Sequence, residues 1–109
     1  MKVKIGVTNY DLNVLTADKI VEAFGEDDVE GTLCGFLDPP YNMIRVNNEI
    51  PTQAMIQTFF HECTHAMLWE IGQEELYDDE GFVEAMSKQI FGLIQNNKLN
   101  KIYAFLGEK

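Results

Sequence analysis

Apolar and polar positions change period several times along the 109 residues, and each change marks an element. From Lys2 to Thr8, apolar Val3, Ile5 and Val7 alternate with Lys2, Lys4 and Gly6, which predicts a half-buried strand. Asn9 to Asn13 reads as a turn. Thr16 is placed to cap a helix through Ala17, Ile20, Val21 and Phe24 that stops at Gly25. The acidic stretch Glu26-Asp27-Asp28 lacks the spacing of a calcium loop and reads as a solvated turn. Gly31 to Leu37 alternates again and predicts a second strand. Asp38-Pro39-Pro40-Tyr41-Asn42 is a strong turn signal, and Met43 to Val46 predicts a third strand that completes a hairpin.

Beyond Pro51 the period lengthens to that of a helix. Thr52 is a plausible cap for a helix reaching Trp69 or Ile71 and ending at Gly72. Met55, Ile56, Phe59, Phe60, Cys63, Ala66 and Met67 fill a broad apolar arc on it, while Ala54, Thr58, His61 and His65 share a narrower stripe. Glu74 to Glu80 is an acidic connection anchored by Leu76 and Tyr77. From Phe82 to about Asn96, Phe82, Val83, Met86, Ile90, Leu93 and Ile94 recur at helical spacing. Lys98 to Leu106, with Leu99, Ile102, Tyr103 and Phe105, predicts a short terminal helix that packs loosely. There is no internal repeat and no low-complexity linker. The expectation is one domain over residues 1–109 of α+β class, a small mixed or antiparallel sheet of about three strands packed on two helices.

Composition narrows the setting. Apolar residues make up 46% and charged residues 24%, ordinary for a globular protein. No run approaches the roughly 20 apolar residues of a membrane span. The N-terminus alternates where a signal peptide would be an apolar block, which argues for the cytosol. In that compartment Cys34 and Cys63 are expected as free thiols, Cys63 as a small core residue. The net charge of −10 leaves no basic patch to displace counterions from phosphates, which argues against nucleic-acid binding.

The candidate chemistry lies in the long helix. His61-Glu62-Cys63-Thr64-His65 is H-E-x-x-H, and these are the only histidines in the chain. Residues four apart on a helix stand one turn above each other, so both imidazoles point the same way. Two imidazoles about 2.0 Å from one ion suit zinc, which then needs a third protein ligand and an open position for water. Glu62 stands where a carboxylate can take a proton from that water. With no third histidine, Asp78, Asp79, Glu80 and Glu84 remain as oxygen donors. Glu80 and Glu84 share a helix face. Glu80 lies at the helix start, where capping and the helix dipole already explain an acid, so Glu84 is preferred.

His61-Glu62-Cys63-Thr64-His65-Ala66, followed by Glu84-Ala85 on an apolar helix, resembles the gluzincin pattern of zinc peptidases. It is more closely similar to the small single-domain members of phages and mobile elements related to the ImmA/IrrE-type metallopeptidases. The likeness extends upstream to the hairpin from Gly35 to Asn47 and covers roughly Gly31 to Gln95. It implies a minimal zincin fold, zinc held by His61, His65 and Glu84, and Glu62 as general base. It also implies a peptide or protein substrate lying against an edge strand, here Met43 to Val46. Larger gluzincins carry a C-terminal half with transition-state-stabilising Tyr or His residues, absent here, which leaves Tyr77 and Tyr41 as candidates.

The first expectation is therefore a zinc-dependent peptidase acting on a specific protein. The second is a non-enzymatic, zinc-stabilised binding or inhibitor module; the retained Glu62 weighs against it, because a structural site has no use for that acid. A metal-free helical-hairpin interaction domain is a third.

Overall fold

A chain reversal at Gly6 sets up the N-terminal part of the sheet. Gly6 has φ +59° and is the first residue of a two-residue loop, Gly6–Val7, between the paired residues Ile5 and Thr8. That is the position at which a type II′ hairpin turn requires glycine. The side chain of Glu70 lies where a Cβ on Gly6 would stand. The expected strand from Lys2 to Thr8 is thus two: β1 (Lys2–Ile5) and β2 (Thr8–Leu15). Asn9 to Asn13 is not a turn but the middle of β2. Tyr10 is buried and Leu12 packs against the core, while Asn9, Asp11 and Asn13 alternate to the other face. The period of two was there, hidden by turn-forming residue types.

The structure is a computed structural model that describes residues 1–24 and 34–108. Gly25, the acidic loop Glu26 to Asp28 and the first residues of the strand expected from Gly31 lie outside the described residues. Helix α1 (Ala17–Phe24) follows β2. Its start is held twice: Thr16 Oγ1 accepts from the Lys19 N–H at 3.3 Å, and Glu49 Oε1 accepts from the Ala17 N–H at 3.0 Å. Strand β3 (Gly35–Asp38) leads through a 3-10 turn at Pro39–Tyr41 into β4 (Met43–Asn47). Asn42, at φ 53°, takes the left-handed conformation that closes this hairpin.

The strand order is β1-β2-β4-β3, with β2 and β4 parallel and the outer pairs antiparallel. The class is α+β, as expected, with one strand more than the sequence suggested. This order corrects one expectation. Met43 to Val46 is an inner strand whose backbone groups are paired on both sides, so it cannot receive a peptide. Among the described residues the edges belong to β1 and β3.

Helix α2 (Thr52–Glu70) lies across one face of the sheet, where Ile5, Tyr10, Leu37, Ile44 and Val46 meet Cys63 and Ala66. It starts at Thr52 with Pro51 as the cap residue and without a side-chain cap, and it ends before Gly72, whose φ is +72°. Ile56 and Met67, placed on the apolar arc, are exposed, and Cys63 is buried as expected. The acidic connection contains one helical turn, α3 (Glu74–Tyr77), and α4 (Glu80–Gln95) then runs back along α2. The terminal helix α5 (Leu99–Gly107) has no buried residue, in keeping with loose packing. No helix of the described residues is long and apolar enough to cross a membrane.

Candidate metal centre

The antiparallel run of α4 along α2 brings acids opposite the motif histidines. Asp79 fixes where α4 begins: its Oδ1 accepts from the Phe82 N–H at 3.0 Å. That cap sets Glu80 in the first turn, opposite His65, and Glu84 one turn later, opposite His61. Further along, Phe60 and Phe91 meet edge to face at 5.3 Å between ring centroids, locking the register of the two helices.

The two acids play different parts. Glu80 spreads its carboxylate across both imidazoles, Oε2 lying 3.0 Å from His61 Nε2 and Oε1 3.0 Å from His65 Nε2. Glu84 Oε2 lies 2.8 Å from the opposite nitrogen, His61 Nδ1, and its Oε1 pairs with Lys88 Nζ at 3.5 Å. His61, His65 and Glu80 each offer a ligand atom within 4.8 Å of the others, a group that could hold a metal ion. Glu84, the preferred third ligand in the sequence, is not in that group. Nor is it shut inside the helix packing, since its side chain is half exposed. Glu80, ranked second because capping explained an acid there, is the one that converges; the capping acid is Asp79.

These donors fit a small dication. Tetrahedral ligands with bonds of about 2.0–2.1 Å stand roughly 3.3 Å apart, close to the present contacts. A neutral imidazole has a single N–H to donate, yet His61 has carboxylate oxygens at both nitrogens. A cation held at Nε2 would meet this, as would a second proton on the ring; either leaves Nδ1–H to donate to Glu84. His65 is buried, and burial outweighs the opposing pull of Glu80 to lower its pKa, favouring the neutral form that binds metals. Its Nδ1 has no hydrogen-bond partner; the Tyr77 backbone stands near enough to favour a proton there without reaching hydrogen-bonding geometry. The Tyr77 ring packs on the His65 ring at 5.0 Å and on Trp69 at 5.7 Å, closing that side of the group. Glu80, 69% exposed in its side chain, marks the open side.

Glu62 completes the arrangement. Buried between α2 and β3, it has its pKa raised to about 7, first by desolvation, with His61 pulling it down and Glu80 pushing it up. A carboxyl that titrates near neutrality is matched to exchanging protons at physiological pH. For Glu84, burial works upward, but the hydrogen bond and charge of His61 together with Lys88 prevail, and its pKa is lowered. The sheet comes close here because position 35 is glycine: a Cβ there would stand 3.0 Å from the Arg45 carbonyl oxygen and 3.4 Å from Glu62 Oε2. Tyr77 is a neighbour of the group through His65; Tyr41 is exposed on the turn after β3. The contact of Glu84 with His61 Nδ1 was not expected from the sequence. The i, i+4 spacing of Glu80 and Glu84, matched to that of His61 and His65, was the signal for it.

Fold and site together define an α+β chain with a two-histidine, one-glutamate group able to hold a metal ion. Comparisons with known proteins find no family model that matches the chain, no similar curated protein and no similar solved structure.

Proposed function

We propose that this chain is a zinc-dependent peptidase of zincin type in which His61, His65 and Glu80 are the ligands and Glu62 is the general base. One observation carries the reading: a single carboxylate meets the Nε2 atoms of both motif histidines, and a buried Glu titrating near neutrality stands beside them. Zinc, when bound there, polarises a carbonyl and acidifies water. The chain's own groups do the rest. Glu62 takes the proton as water attacks the scissile carbonyl and returns it to the leaving amine. Glu84 accepts from His61 Nδ1–H and so fixes the ring's tautomer and direction. Tyr77 holds the ring of His65. The substrate is a segment of a specific protein, extended along the outer edge of β3, which takes over the part expected of Met43 to Val46. Gly35 lets that edge lie within reach of Glu62.

The test begins with metal content by mass spectrometry, then follows cleavage of a peptide mixture by zinc-loaded wild type and Glu62→Gln. The expected result is one zinc per chain in both proteins, with turnover in the variant lower by about 10²- to 10⁴-fold. Zinc bound equally by both with no cleavage by either would overturn the enzyme reading and favour a zinc-stabilised binding module. Absence of zinc after reconstitution would overturn both.

A further inference from the structure

Helix α5 is apolar on one face, yet none of its residues is buried. Leu99, Ile102, Tyr103 and Leu106 follow one another at spacings of three, one and three and share a face. Tyr103 is 64% and Leu106 58% exposed. On α4, Met86, Leu93 and Ile94 form a second exposed apolar stripe, with Leu93 at 58%. The molecule is also drawn out. Its radius of gyration is 15.3 Å, against about 13 Å expected for a compact chain of this length.

Charge distinguishes the candidate partners. Residues 98–109 carry three lysines and one glutamate, whereas the other 97 residues carry five basic and 17 acidic residues. A C-terminal stretch of net positive charge, with Lys98 and Lys101 at the start of α5, therefore follows a strongly acidic body. Six of those acids (Glu74, Glu75, Asp78, Asp79, Glu80 and Glu84) lie on α3, on α4 and between them. An anionic membrane would attract α5 but repel the body. A second copy offers α5 both things it lacks, an apolar stripe and negative charge. Two-fold symmetry then satisfies both copies at once, because each contributes the same helix and the same surface.

We infer that the chain forms a symmetric dimer in which α5 of each copy docks on the exposed Met86, Leu93 and Ile94 stripe of the other. The contact is apolar at its centre and rimmed by Lys98 and Lys101 against the partner's acids. High salt weakens it by screening that rim.

Sedimentation of the full chain over a range of concentrations, at low and high salt, tests this. The expected mass is twice 12.5 kDa, with dissociation at high salt or high dilution. Ile102→Glu with Leu106→Glu, and separately Leu93→Glu, should each give monomer with an unchanged circular dichroism spectrum. Lys98→Glu with Lys101→Glu should weaken the dimer by about tenfold or more. A wild type that stays monomeric at all concentrations overturns the inference, whether it stays free or binds anionic vesicles through α5. A dimer indifferent to both the α5 and the α4 substitutions overturns it equally.

Discussion

Two helix pairs in this small protein use the same kinds of apolar residue to opposite ends. Along α2 and α4, apolar faces close on each other, Val83 is wholly buried, and the polar residues left at the seam pair off across it. Between α4 and α5, apolar stripes of comparable quality remain open. Periodicity alone does not separate these cases, since it marks a face as destined for burial without naming what buries it. What marks the first pair is its cross-helix chemistry: His65 opposite Glu80, His61 opposite Glu84 and Phe60 against Phe91 give α2 and α4 one register.

The largest way to break the comparison is to remove that chemistry. On the proposed ligand set, Glu80→Ala should weaken zinc binding by more than about 10³-fold, because it removes one of the three donors. Glu84→Gln should weaken it by about 10- to 100-fold, the usual effect of losing the group that orients a ligating histidine. Competition with a chromophoric chelator measures both. Equal losses, or the reverse order, would return Glu84 to the role of ligand and displace Glu80.

A smaller effect follows from burying Glu62 in the same seam. Its folded-state pKa, about 7, lies above its ordinary value of 4.5. The fold therefore favours the protonated form, and the metal-free protein should lose stability as pH rises from 4.5 to 7, then level off once both states are ionised. The loss from this group is on the order of 3 kcal/mol. Urea unfolding of chelator-treated protein should thus show Glu62→Gln gaining on wild type at pH 8 and hardly at all at pH 4.5. The same difference at both pH values would mean that Glu62 ionises freely in the folded chain.

Much of this was legible in the sequence, and the failures have physical causes. The hairpin of β3 and β4, the motif helix with its end at Gly72, the following helix and the loosely packed terminal helix all followed from period and punctuation. Strand β2 did not, because Asn9, Asp11 and Asn13 are turn formers that here face away from α2 on a strand whose other face is filled by Tyr10 and Leu12. The inner position of β4 did not either: strand order is set by which strands meet across the crossover from β2, a relation absent from local pattern. At the site, the pair His61 and His65 was plain. That Glu80 and not Glu84 faces both Nε2 atoms follows from helix register, which a single-residue argument about capping does not supply.

The finest test contrasts one residue from each pair. Val83→Ala removes two buried methyl groups from the α2–α4 seam and should cost about 2 kcal/mol at any protein concentration. Leu106→Ala removes a side chain that is 58% exposed on α5, so in dilute monomer it should fall within about 0.5 kcal/mol of wild type. At concentrations where dimer forms, the cost of Leu106→Ala should grow, because stability then includes the subunit contact. Val83→Ala should show no such growth. A Leu106→Ala effect as large in dilute monomer as at high concentration would mean that α5 is packed within its own chain, and the contrast between the two pairs would disappear.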